Sequence, residues 1–105
     1  MFDSIKKLFG GGPSVDLKQL VKEGAVILDV RSHGEYNSGH IKGSINIPVD
    51  QLRNHLNKIS NKGKTVITCC ASGMRSASAK SILKSSGYTD VHNGGGWSSL
   101  QSKIL

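Results

Sequence analysis

The apolar residues of this chain change their spacing repeatedly along its length, and this alternation restricts the fold more than any other feature. Leu17, Leu20 and Val21 form one stripe at helical spacing. The next run, residues 25–30, is apolar except for Asp29, which is typical of a strand buried on both faces. A helix pattern followed by a doubly buried strand indicates a parallel sheet whose two faces are covered by helices.

The rest of the chain repeats this alternation. The predicted elements are, in order, a strand over 44–47, a helix over 49–59, a strand that ends at Cys70, a helix over 76–86, a strand near 90–92 and a helix from about Trp97. We therefore predict a three-layer α/β fold with a central, mainly parallel sheet and helices on both faces. Functional loops of such folds lie at the carboxyl ends of strands, where residues 29–31 and Cys70 stand.

Residues 65–76, TVITCCASGMRS, place a thiol where a strand pattern ends, and an arginine and a helix pattern follow within one short loop. A loop that turns from strand into helix can point several backbone N–H groups inward, and the helix N-terminus adds roughly half a positive charge. Such surroundings lower a cysteine pKa to ~3.5–7.5. Cys70 is therefore predicted to be largely thiolate at neutral pH and to attack an anionic substrate.

Two adjacent cysteines compete for this role. Counted from Cys70, the spacing to Arg75 is Cys-x4-Arg, a tight loop that suits one sulfur atom or a persulfide; counted from Cys69 it is the Cys-x5-Arg of cysteine-dependent phosphatases. Strand alternation lets only one of the two thiols face the loop centre. Gly73 stands where a tight cradle needs positive φ, and Thr68 stands where the phosphatases have histidine. We favour Cys70, and a phosphatase or arsenate-type reductase that uses Cys69 is the alternative.

Several polar residues outside the loop also need a role. A carboxylate and a guanidinium at neighbouring strand ends usually organise loops, so Asp29 and Arg31 are predicted to support the site rather than contact substrate. The donors of Arg75 face either the cradle or a carboxylate such as Glu35. His40 belongs to a loop motif far from the thiol in sequence and is predicted to be structural. No pair of His or Cys residues has zinc spacing, so no metal site is predicted.

The composition limits the remaining possibilities. With 105 residues the chain has room for one domain. It carries 14 Lys and Arg against 7 Asp and Glu, a formal charge of +7, which attracts small anions and favours only nonspecific contact with nucleic acid. The two cysteines are adjacent, which disfavours an unstrained disulfide, so a reducing cytoplasm is the expected location.

Residues 1–12 are predicted to be a separate piece. Apolar residues recur there at helical spacing before three glycines and a proline, which indicates a short amphipathic tail and a hinge ahead of one domain over residues 13–105. Lys6 and Lys7 interrupt the apolar stretch, which is too short for an export signal or a membrane-spanning helix. We expect the tail to be disordered or docked on the domain, with contact to a partner or a membrane surface as the alternative.

Short motifs follow one another in a fixed order from about Val15 to the end of the chain. They are residues 25–31 (AVILDVR), Glu35-Tyr36, Gly39-His40-Ile41, Gly43-Ser44, Asn46-Ile47-Pro48, residues 70–76 (CASGMRS), Gly87-Tyr88, Val91 and residues 94–97 (GGGW). In this order and spacing the chain closely resembles the rhodanese (thiosulfate sulfurtransferase-like) family, of the small single-domain type. Several ordered motifs are a far more specific signal than one Cys-x4-Arg.

The resemblance implies a rhodanese-like fold and a sulfurtransferase that moves sulfane sulfur from thiosulfate or a persulfide donor to a thiophilic acceptor. It implies Cys70 as the catalytic residue, which carries the sulfur as a persulfide without a cofactor. The residues implied around the sulfur are Ala71, Ser72, Gly73, Met74, Arg75 and Ser76, with Asp29, Arg31, Glu35 and His40 in support. Cyanide or a thiol, such as thioredoxin or another sulfur-carrier protein, is the implied acceptor. A noncatalytic sulfur-carrier or binding module is the alternative within the family.

Overall fold

The computed structural model describes residues 15–105. Its elements are α1 (Leu17–Lys22), β1 (Val26–Asp29), α2 (His33–Ser38), β2 (Ile45–Asn46), two 3₁₀ helices (Val49–Asn54 and Leu56–Ile59), β3 (Val66–Cys70), α3 (Met74–Ser85), β4 (Val91–Gly96) and α4 (Trp97–Ile104). The tail expected over residues 1–12 lies outside the described residues.

Within residues 15–105 the strands form one sheet in the order β2-β1-β3-β4, and every neighbouring pair is parallel. The two central strands, β1 and β3, have almost wholly buried residues, as their near-continuous apolar sequence requires. Because all strands run the same way, their carboxyl ends meet at one edge of the sheet. The predicted α/β fold is confirmed.

Each face of the sheet has its own hydrophobic core. Strand alternation sends Val66 and Cys70 of β3 to one face, where the 3₁₀ helices and α3 pack, and sends Ile67 and Cys69 to the other, where α1 and α4 pack. The stripe predicted for α1, formed by Leu17, Leu20 and Val21, is partly buried in this second core. Helices therefore cover both faces, which makes the architecture three layers deep.

Residues 49–59 were predicted as one helix, and that prediction is wrong. His55, at φ −129° and ψ 24°, interrupts the segment and leaves the two 3₁₀ helices. Val49 and Leu52 are three positions apart, as are Leu56 and Ile59, and this spacing matches the three residues per turn of a 3₁₀ helix as well as it matches an α-helix.

Two further differences lie near the site described below. The strand predicted near 90–92 extends through Gly96, and its pairing with β3 shifts register between Thr68 and Cys70. Helix α2 has no apolar stripe and was not predicted, although its capping box, Ser32 with Glu35, is readable in the sequence.

No helix within residues 15–105 is both long and apolar enough to cross a membrane.

Candidate active site

The last residue of β3 places its thiol under the loop that leads into α3. Cys70 is 1% exposed and lies on the face of the sheet that α3 covers, whereas Ala71 and Ser72 of the loop are exposed. Gly73 caps α3 with φ 104°, a conformation that glycine adopts without strain. The positive φ expected at this glycine is present. The chain therefore turns back over the sulfur atom within three residues.

This turn directs backbone donors at the sulfur atom. The N–H groups of Gly73 and Ser76 donate to Cys70 Sγ, with N···S distances of 2.9 and 3.3 Å. The Ser76 hydroxyl oxygen lies 3.5 Å from the same sulfur. Thr68 anchors the arrangement from below, because its hydroxyl donates to the Ser76 carbonyl at 2.9 Å. The loop and the first turn of α3 thus form an anion cradle centred on one thiol.

The electrostatic effect on Cys70 is a balance between burial and hydrogen bonding. Burial alone raises the pKa of the thiol, because it disfavours the charged form. A hydrogen bond between the thiol and the Ser76 hydroxyl, and hydrogen bonds from the N–H groups of Ser76, Gly73 and Ser72, act against burial and together outweigh it. The net result is a pKa of Cys70 below its ordinary value, so the thiolate forms more readily than in a free cysteine.

The neighbouring thiol has the opposite environment. Cys69 is fully buried between β3 and α4, in the core that contains Ile67 and Leu100. Burial, helped by the negative charge of Asp29, raises the pKa of this thiol to about 12. It neither faces the loop nor ionises at neutral pH, so the wider Cys-x5-Arg cradle of a phosphatase is not formed around it. The sulfur of Cys69 packs as a small apolar group.

Arg75 does not point its planar fork into the cradle. Its two terminal nitrogens donate to the two carboxylate oxygens of Glu35 at 2.7 and 2.9 Å. The pair is 38% exposed on each side and joins α2 to the first turn of α3. The pKa of Glu35 is lowered to about 2. The largest cause is the hydrogen bond from the Arg75 guanidinium, and hydrogen bonds from the Ser32 N–H and hydroxyl add to it. Two partners were expected for Arg75, the cradle and a carboxylate such as Glu35. In the structure the partner is the Glu35 carboxylate.

A second, buried ion pair fixes the end of β1. Arg31 donates to both oxygens of Asp29, the closest contact being 2.7 Å, and also to the Gly39 carbonyl at 2.7 Å. The guanidinium lies 4.7 Å from the ring centroid of Trp97, so it also contacts α4. Among the hydrogen bonds of residues 15–105, none joins either residue of the pair to the Cys70 thiol, and their supporting role stays a prediction.

His40 is exposed on the surface. Its ring stacks on Tyr36 with centroids 3.7 Å apart, and Nδ1 is 2.7 Å from the Tyr36 carbonyl oxygen. The structural role expected for His40 stays a prediction.

The sequence analysis missed Asn93 as a residue of the site. Asn93 extends from β4, and its side-chain oxygen lies 2.6 Å from the Ser76 hydroxyl. The glycines that follow it allow β4 to come this close. A Cβ atom at Gly96 would lie 2.9 Å from the Ala71 carbonyl oxygen, and a Cβ atom at Gly73 would lie 3.5 Å from Gly95 Cα. The sequence feature that could have identified Asn93 is its position directly before three glycines at the end of a predicted strand.

A family model described as a rhodanese-like domain matches residues 14–103, and the chain belongs to this family. The thiosulfate sulfurtransferase PspE of Escherichia coli (strain K12) is 39% identical over 70 residues, which cover 66% of this chain and 67% of that protein. The human single domain sulfurtransferase TSTD1 has a similar structure, with 29% identity and a TM-score of 0.71, and the match covers 89% of this chain and 98% of TSTD1.

The same domain is also similar to parts of longer proteins. A tRNA uridine(34) hydroxylase of Enterobacter sp. (strain 638) is 37% identical over 72 residues, which cover 64% of this chain but only 21% of the hydroxylase. Family membership therefore defines the fold, while the reaction of this chain depends on the residues of its own site.

Proposed function

We propose that this protein is a sulfurtransferase that carries sulfane sulfur as a persulfide on Cys70. The observation that carries the proposal is the convergence of the Gly73 and Ser76 N–H groups on Cys70 Sγ at 2.9 and 3.3 Å. The two related proteins named as sulfurtransferases support the same reaction class. A buried thiol with a lowered pKa is a nucleophile, and backbone donors around it stabilise a second anionic sulfur in the same place.

The reaction has two displacement steps. The Cys70 thiolate attacks the outer sulfur of thiosulfate, a bond forms between the two sulfur atoms, and the S–S bond of thiosulfate breaks, so that sulfite leaves with the electron pair. The negative charge then lies on the terminal sulfur of the persulfide, within reach of the loop N–H groups. Cyanide or an acceptor thiolate takes this sulfur, and the Cys70 thiolate is restored. Neither step requires a cofactor.

The charges around the loop favour a persulfide donor over free thiosulfate. Ala71, Ser72 and Met74 bring no charge to the rim, and Met74 is 79% exposed. The Glu35 carboxylate already occupies the terminal nitrogens of Arg75 and partly cancels its charge. A thiosulfate dianion is therefore held by backbone N–H groups and the overall positive field alone. We propose that a thiol persulfide, including one on a carrier protein, is the better donor, and that thiosulfate turnover is modest.

The test is the intact mass of the protein after exposure to thiosulfate without reductant. We expect a gain of one sulfur atom, which is lost again when cyanide is added. Cys70→Ser should show no gain and should lower transfer to cyanide by on the order of 10³-fold or more, as expected for loss of a nucleophile.

Cys69→Ala is the matched control, because alanine leaves no unpaired hydroxyl in the apolar core around position 69. This variant should gain the sulfur atom at close to the normal rate. Retention of the extra sulfur in Cys70→Ser, and its loss in Cys69→Ala, would reverse the assignment. A folded wild-type protein that gains no sulfur from thiosulfate or from a low-molecular-weight persulfide would favour the noncatalytic binding module.

A further inference from the structure

The Ser76 hydroxyl has one proton and three acceptors around it. Its oxygen lies 2.6 Å from Asn93 Oδ1, 3.0 Å from the Gly73 carbonyl oxygen and 3.5 Å from Cys70 Sγ. A hydroxyl group donates one hydrogen bond and accepts others. The proton that could stabilise the Cys70 thiolate is therefore shared with two competitors, and Asn93 is the closer of them.

The orientation of the Asn93 amide is fixed by its other contacts. The Gly95 N–H donates to Oδ1 at 2.9 Å, and a backbone N–H can only donate, so this atom must be the oxygen. On the other side, Nδ2 faces the Gly73 carbonyl at 3.4 Å. Because the Asn93 atom that faces Ser76 is the amide oxygen, it can only accept a hydrogen bond from the Ser76 hydroxyl. The 2.6 Å contact is thus a hydrogen bond from the hydroxyl to the amide.

The two ionisation states of Cys70 use the hydroxyl differently. In the neutral state the thiol donates toward Ser76 Oγ while the hydroxyl donates to Asn93, so both bonds are satisfied. In the thiolate state the sulfur can only accept, and a bond from the hydroxyl to sulfur requires rotation of the proton away from Asn93. The N–H groups of Gly73 and Ser76 point at the sulfur in both states.

From this geometry we infer that Asn93 is a positioning residue: it draws the hydroxyl proton of Ser76 away from Cys70 and so limits how strongly the thiolate is stabilised. Asn93 itself does not touch the reacting sulfur; it acts through Ser76. A thiolate that is stabilised less is more basic. It is then the stronger nucleophile toward sulfur and the poorer leaving group. Asn93 would then set the reactivity of Cys70 while the backbone N–H groups hold it in place.

The other titratable groups near the sulfur act independently of this contact. Arg75 on α3 and Cys69 on β3 are coupled electrostatically to Cys70, but Arg75 pairs with Glu35 and Cys69 faces the opposite core. On β4, the neighbouring His92 pairs with Asp90 at 2.8 Å. None of them hydrogen-bonds to Ser76 or Asn93 within the described part of the chain.

The test measures the pKa of Cys70 from the pH dependence of its alkylation by iodoacetamide, in a Cys69→Ala background so that a single thiol reports. Asn93→Ala removes the closer of the two acceptors that compete with the sulfur for the hydroxyl proton and leaves only the Gly73 carbonyl as a competitor. The alkylation rate at a pH below the pKa should rise by roughly three- to tenfold, the effect of about one hydrogen bond on the thiolate. Asn93→Asp, which keeps the contacts to Gly95 and Ser76, should shift the pKa in the opposite direction.

A double-mutant cycle with Ser76→Ala separates this role from a merely structural one. Asn93→Ala should have no further effect on the Cys70 pKa once the hydroxyl is gone. An equal effect in both backgrounds, or a raised pKa in Asn93→Ala alone, would overturn the inference. The inference rests on Cys70 as the reactive thiol of the proposed function. Because iodoacetamide needs no sulfur donor, failure of sulfur transfer would still leave this test valid.

Discussion

At the scale of single residues, Glu35 is the side chain with the most connected role near the site. It completes the capping box of α2, in which its carboxylate accepts from the Ser32 N–H at 3.2 Å, and it receives the fork of Arg75. The same carboxylate therefore fixes where α2 begins and how α2 is held against the first turn of α3. The cradle around Cys70 is shaped in part by a residue that does not touch the thiol.

Glu35→Gln separates these two roles. Glutamine also completes a capping box, so the variant loses the charge opposite Arg75 but keeps the start of α2. At neutral pH we expect a lower melting temperature than in the wild type. The folded protein lowers the pKa of Glu35 from 4.5 to about 2, so the stabilisation is present in full above pH 4.5 and is lost as the pH falls through about 2.

Thermal unfolding followed by circular dichroism between pH 7 and pH 2 measures this effect. The difference in melting temperature between wild type and Glu35→Gln should narrow across the lower part of that range. Asp50→Asn is the control, because Asp50 is exposed and forms no salt bridge to residues 15–105. A difference that stays constant down to pH 2 would show that the ion pair does not stabilise the fold.

At the scale of elements, the sequence patterns predicted those helices and strands that are determined by the spacing of neighbouring residues. The stripe of α1, the buried run of β1 and the end of β3 at Cys70 follow from apolar spacing, and the structure has each of them. Spacing does not reveal contacts between distant elements. Asn93 meets Ser76 across 17 positions of the sequence because β4 pairs beside β3. The sequence offered Glu35 as one of two possible partners of Arg75. Which partner Arg75 takes is decided only by the packing of α2 against α3.

The glycines of β4 give a prediction at this scale. At Gly94 a Cβ atom would lie 2.9 Å from Ile67, Leu100 and the Thr68 carbonyl, so Gly94→Ala should destabilise the whole domain by ~1–3 kcal/mol through overpacking. At Gly96 the only atom of residues 15–105 as close is the Ala71 carbonyl oxygen, at 2.9 Å. Gly96→Ala should therefore displace the loop and slow Cys70 chemistry more than it lowers stability.

Gly34 provides the matched control for both variants. It lies within α2, and a Cβ atom there would have no neighbour within 4 Å in the described part of the chain, so Gly34→Ala should keep full stability or gain slightly from helix propensity. Chemical unfolding and the Cys70 alkylation rate together distinguish the three substitutions. Equal loss of stability in Gly94→Ala and Gly34→Ala would contradict the packing argument.

At the scale of the whole molecule, the site assembles from segments at the carboxyl ends of three parallel strands. The end of β1 supplies the Asp29–Arg31 pair, the end of β3 supplies the thiol, and β4 supplies Asn93 and the glycines. The chain carries a net charge of +7, and among loop residues 71–76 only Arg75 is charged. Any attraction of an anionic donor therefore acts mainly over distance rather than through a dedicated pair.

This distribution of charge predicts how salt affects the reaction. Raising the ionic strength from 0.1 M to 1 M shortens the Debye length from ~10 Å to ~3 Å, which removes long-range attraction while contacts inside the cradle persist. The second-order rate of persulfide formation from thiosulfate should fall across this range, measured by intact mass at short reaction times. Alkylation of Cys70 by neutral iodoacetamide under the same conditions is the control, because it shares the thiol but not the charge, and its rate should change far less. If both rates fall together, salt acts on the thiol itself; if neither falls, the positive field has no part in bringing the donor to Cys70.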